Sequence, residues 1–158
     1  MKLLAVKLSK FALGLAVAWS TWGCGDSATA PKTLNVAGTW SGTESDRLGP
    51  ALLTWKLTQT GYTVSGTAVM RPVDAADGSC ASCHKSKDGT FSGTLSGTTL
   101  TLAMFFPAGG VADPTPACSI TINGTAPNVT ESAIAGTYGG TDPCEGSFDG
   151  TLAMTRKP

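Results

Sequence analysis

The chain has 158 residues, 41% of them apolar and only 14% charged, and its 11 basic side chains balance 11 acidic ones. With no basic cluster, it lacks the electrostatic footprint of a nucleic-acid binder. The length suffices for one domain around one core.

Lys2, Lys7 and Lys10 make a basic start, and an apolar run from Phe11 to Trp19 leads to Gly23-Cys24. That run is less than half of the ~20 residues a spanning helix needs, so residues 1–23 read as an export signal peptide, not an anchor. Three lysines and no acid leave with this leader, so the rest keeps 8 basic and 11 acidic side chains, a net of −3. Thr21-Trp22-Gly23-Cys24 resembles the lipobox of bacterial lipoproteins. The resemblance implies that Cys24 is lipidated, becomes the first mature residue and ties the protein to the membrane. The protein is then exported and lipid-anchored in the bacterial cell envelope, on its periplasmic or outer-membrane face. Ordinary cleavage after Ala16-Val17-Ala18 is the alternative, and it leaves five cysteines with one unpaired. Lipidation of Cys24 leaves an even set of four. Residues 24–35 are small, polar and broken by Pro31, which predicts a lipidated N terminus and flexible tether ahead of a domain over 36–158.

From Val36 onward the chain alternates. Leu53, Trp55 and Leu57 skip Thr54 and Lys56, and Leu100, Leu102, Met104 and Phe106 skip Thr101 and Ala103. Tyr62, Val64, Ala68 and Met70 share a face, as do Ile120 and Ile122, and Phe148, Leu152 and Met154. Period two means half-buried antiparallel strands, and threonine suits their wet face. The pattern predicts eight strands near 36–44, 51–59, 62–70, 89–96, 99–106, 118–126, 132–139 and 147–155. A Gly-Thr dipeptide recurs ten times. Gly66, Gly93, Gly136 and Gly150 fall on the apolar face, where a strand that coils around a small core needs a missing side chain. Gly61 and Gly97 read as turn residues. Short connections alternate with long ones at 71–88 and 107–117, so one end is tight and the other carries long loops. The prediction is an all-β, eight-stranded antiparallel up-and-down barrel.

Gly38-Thr39-Trp40 on the first strand resembles the Gly-x-Trp of the calycin barrels, which include lipocalins and avidin-type proteins. The resemblance implies that Trp40 packs near the closed end against a basic residue after the last strand, a role that Arg156 matches. The alternative for Trp40 is an ordinary core tryptophan.

Cys80-Ala81-Ser82-Cys83-His84 matches the C-x-x-C-H that attaches c-type haem. Against haem stand a β-rich context, the absence of a second histidine, so that Met70 or Met104 would have to ligate, and the availability of Cys118 and Cys144 as thiol partners. The meander puts Cys80, Cys83, Cys118 and Cys144 at one rim, which predicts two disulfides in an oxidising compartment. Three pairings are open. The favoured ones join Cys80 and Cys83 each to one of Cys118 and Cys144, because that pins the longest loop. Zinc lacks a fourth ligand, so no metal is expected. Asp142, Glu145 and Asp149 read as solvated rim charges, and Asn123 and Asn128 as turn residues.

The chain thus reads as a non-enzymatic envelope lipoprotein without a cofactor, its partners the membrane and a small apolar ligand inside the barrel. Trp55, Tyr62, Met70, Leu102, Met104 and Phe106 would line that interior. The alternatives are an interaction lipoprotein with a filled barrel, and a haem c protein.

Overall fold

The structure, a computed structural model, describes residues 33–73, 85–109 and 118–158. The leader, Cys24, the tether up to Lys32, and Cys80, Cys83 and His84 lie outside the described residues. Every regular element among those described is a strand: β1 (Gly38–Asp46), β2 (Gly49–Thr60), β3 (Thr63–Pro72), β4 (Lys87–Ser96), β5 (Thr99–Phe106), β6 (Ile120–Ala126), β7 (Ala133–Asp142) and β8 (Gly146–Arg156). Each pairs antiparallel with the next, and β8 returns to β1, which closes the barrel in simple up-and-down order.

The period-two pattern explains the wall. In β5 the inward Leu100, Leu102, Met104 and Phe106 are buried, while Thr101 and Phe105 are exposed. Two hairpins are set by short turns. Gly61 and Gly97 each stand first in a two-residue turn with φ +59°, the left-handed backbone that lets a tight hairpin follow the twist of its strands. Inward glycines take the close approaches. A Cβ at Gly150 would meet the Tyr138 ring and the Ser45 carbonyl at 2.5 Å, so Tyr138 lies across a gap in β8.

The barrel has two unlike ends. At one end the chain before β1 crosses the opening, with Val36 buried beneath it. Gln59 holds this strap, accepting from Val36 N (2.8 Å) and donating to Leu34 O (3.0 Å). Leu34 and Asn35 therefore belong to the barrel and not to the tether, because backbone groups at this end need partners and the strap supplies them. The opposite end collects the Arg47–Leu48 and 143–145 connections, the end of β3 with the start of β4, and the end of β5 with the start of β6. One further correction concerns Asn123, which lies within β6 on the outer wall, not in a turn. Asn128 does sit in the β6–β7 connection, with φ 57°.

Candidate functional site

The closed end is built around Trp40. Its indole Nε1 donates to Val36 O at 2.8 Å, and the Arg156 guanidinium lies 5.0 Å above the ring. Arg156 also donates to Asn35 O, tying the end of β8 to the strap. The arrangement satisfies the indole N–H and puts a cation on the electron-rich face of the ring.

The middle of the barrel is occupied by side chains. Trp55 packs on Phe91 with ring centroids 4.9 Å apart. Met70, Leu102, Met104 and Phe106 join the same core, each no more than 2% exposed. Tyr62 does not join them. It is 68% exposed, because it sits in the Gly61-Tyr62 turn beyond the rim, and β3 first points inward at Val64. Among the described residues, Trp55 Nε1 has no hydrogen-bond partner although it is buried.

The mouth, at the long-connection end, is where the chemistry gathers. Lys85 Nζ bridges Glu44 Oε1 at 2.6 Å and Asp46 Oδ2 at 2.9 Å, and all three side chains are 1–2% exposed. Tyr138 reaches across Gly150 from β7 and donates to the second Glu44 oxygen, with Asp46 Oδ2 at 3.3 Å. Burial drives the Glu44 carboxyl above its ordinary value, against the opposing pull of Lys85 and the Tyr138 hydroxyl. The same burial, with Glu44 alongside, holds the Tyr138 phenol far above its ordinary value, so it stays a donor. Charges this deep are rare in small domains and persist only when paired.

Lys87, two residues on, points the same way. Its ammonium donates to the carbonyls of Cys118 (2.6 Å), Gly109 (3.0 Å) and Pro107 (3.1 Å). Burial lowers its affinity for the proton, and the charge of Asp142 works in the opposite direction. Asp142 is buried, not a solvated rim charge, and its carboxylate accepts from Cys144 N at 2.7 Å. Period two carries this from Tyr138 through Gly140 to Asp142 on the inner face.

Cys118 and Cys144 form a disulfide with each other, Cα atoms 6.0 Å apart. This overturns the expected pairing of each with Cys80 or Cys83. The reason is register: Thr121 faces Thr141 across β6 and β7, and Cys118 and Cys144 lie three residues beyond that pair, just past the paired ends of the two strands. Asp142 lies close to both sulfurs, but bonded sulfurs are not thiolate ligands.

Sequence reasoning missed the mouth cluster. The signal was present: Trp40, Gly42, Glu44 and Asp46 share one parity, as do Lys85, Lys87, Gly89 and Phe91. Compared with known proteins, the chain matches no family model, no curated protein and no solved structure.

Proposed function

We propose that this chain is a non-enzymatic cell-envelope lipoprotein, tethered by a lipid on Cys24, whose barrel is a filled structural body that acts through its outer surface. The observation that carries this reading is the occupied lumen. Val36 and Trp40 fill the strap end, Trp55, Phe91, Leu102 and Met104 the middle, and the Lys85 cluster the mouth. A barrel of eight strands is just wide enough for side chains to fill. The ionisable groups at the mouth are spent on one another, which supports a structural role over catalysis. The Cys118–Cys144 bridge suits an oxidising envelope compartment. The Trp40–Arg156 contact supports kinship with the calycin barrels.

The test uses protein purified from its own host. Mass spectrometry is expected to find acyl chains on Cys24. Titration with the apolar fluorophore N-phenyl-1-naphthylamine is expected to give no saturable site. A saturable site abolished by Trp55→Phe or Met104→Trp would replace the filled body with a small-ligand carrier.

A second reading is favoured by one observation. Because Cys118 and Cys144 are bonded to each other, they are not partners for Cys80 and Cys83. In this reading Cys80-Ala81-Ser82-Cys83-His84, left without those two partners, is a haem c attachment unit. A haem mass that survives denaturation would favour this reading. A two-hydrogen loss confined to Cys80 and Cys83 would remove it.

A further inference from the structure

The outer wall carries a regular row of hydroxyls. Cross-strand register aligns one exposed threonine from each of β2 to β8 into a single row, starting at Thr60 and ending at Thr151. Ser45 of β1 faces Thr151 and completes it, so every strand contributes one hydroxyl. The neighbouring row on β4, β5 and β6 is Ser92, Ala103 and Asn123. Between the two rows the surface dips into a groove of about 500 Å³, walled by Ser92, Thr94, Thr101, Asn123 and Thr125 and floored around Ala103 and the backbone of Gly93 and Gly124. Asn123 also borders a second hollow of about 320 Å³, which continues toward β7 and β8 along Thr121, Thr141 and Ser147.

Three properties of this groove select a ligand class. Its volume falls within the ~300–1,000 Å³ of small-molecule sites. Among the described residues no ionisable side chain lines the 500 Å³ hollow, so none of them would compensate a phosphate or an ammonium brought out of water. Its five polar side chains carry hydroxyls or an amide, groups that both donate and accept. They have no hydrogen-bond partner among the described residues, unlike Thr58, Thr130 and Thr155, which bond within the protein. Beside it stands Phe105, 47% exposed on an otherwise hydroxyl-rich wall, two residues along β5 from Ala103 and directly across from Thr121. Amphoteric hydrogen-bonding groups next to an exposed aromatic ring match one chemistry well: sugar hydroxyls on one side and a sugar C–H face on the other.

We propose that the β4–β6 wall groove binds a neutral oligosaccharide. Thr94, Thr101, Thr125 and the Asn123 amide fix the ring hydroxyls, and Phe105 supports an apolar ring face. The site lies on the outside of the barrel, so it is independent of whether the lumen holds a guest or Cys24 a lipid.

The test is NMR titration of the ¹⁵N-labelled full chain in detergent micelles with chitotriose, maltotriose and laminaritriose, and with trigalacturonate as the charged comparison. At least one neutral trisaccharide is expected to shift the Asn123 side-chain amide saturably. Thr101→Val keeps the β-branched shape and removes one hydroxyl. It and Asn123→Ala should each weaken that affinity about three- to tenfold, the equivalent of one neutral hydrogen bond. Thr67→Val, on β3 outside the groove, should leave it unchanged, and unchanged backbone spectra will certify that all three variants fold. Absence of saturable shifts with all three neutral sugars overturns the proposal. So do shifts centred on the mouth, equal binding of trigalacturonate, or unaltered affinity in both groove variants.

Discussion

Replacing Lys85 with methionine should be among the most damaging single changes available to this barrel. The ammonium lies 2.6 Å from Glu44 and 2.9 Å from Asp46, and all three side chains are almost fully enclosed. Methionine keeps much of the volume and removes the charge, which leaves two buried carboxylates facing one phenol. Breaking a buried ion pair from one side costs roughly 3–5 kcal/mol. A domain of this size holds about 5–15 kcal/mol in total, so the melting temperature should fall by roughly 10–20 °C. The penalty should depend on pH. Burial already raises Glu44 above its ordinary value with Lys85 in place. The folded state therefore holds that proton more tightly than the unfolded chain does. Stability from this site is fully present below the unfolded pKa and is lost as pH rises through the folded one. Without Lys85 the Glu44 carboxyl loses a partner that holds its pKa down, so Lys85→Met should be mild in acid and severe at about pH 8. Urea unfolding followed by tryptophan fluorescence, at about pH 4 and about pH 8, measures both limbs. Adding Glu44→Gln and Asp46→Asn to the methionine variant should recover most of the loss, since no buried charge then lacks a partner. A Lys85→Met protein within about 1 kcal/mol of wild type at both pH values would refute the reasoning.

Removing the bridge with Cys118→Ala and Cys144→Ala frees a loop spanning 26 residues. It should cost about 3.5 kcal/mol in equilibrium unfolding, mainly through the unfolded chain. Gly150→Ala should cost roughly 1–3 kcal/mol, because its Cβ meets both the Tyr138 ring and the Ser45 carbonyl at 2.5 Å. Adding Tyr138→Phe should not recover it, because the ring carbon and the Ser45 carbonyl that the Cβ meets both remain; full recovery in thermal melts would show that the Tyr138 hydroxyl alone sets the constraint. Trp40→Ala should cost roughly 3–5 kcal/mol by denaturant titration, and Arg156→Ala only about 0.5–2 kcal/mol for the lost cation–ring contact. A double-mutant cycle should show the two effects to be coupled.

The alternation from Leu53 to Leu57, from Leu100 to Phe106 and from Phe148 to Met154 was enough to read eight strands and a barrel, because side-chain direction in a strand has no choice but to alternate. The two-residue turns at Gly61 and Gly97 were legible for a similar reason: their backbone demand is local and glycine meets it. The mouth cluster was harder to read. Glu44, Lys85, Lys87 and Asp142 look like surface residues one at a time, since a lone charge belongs in water. Only the continuation of parity past the apolar residues hinted that they point inward.

Tertiary structure alone decided what those charges meet and which sulfurs join. The connection between β6 and β7, residues 127–132, is not a two-residue turn, so their relative register cannot be counted from a tight hairpin. Yet that register is what sets Cys118 opposite Cys144. Lys85 likewise finds Glu44 at a separation of 41 residues, after the closing of β8 onto β1 has curved the wall. The amino-acid order specified which face each side chain takes, a property of neighbouring bonds. Partners across the lumen depend on how far each strand slides before the ring closes, and that is a property of the whole sheet.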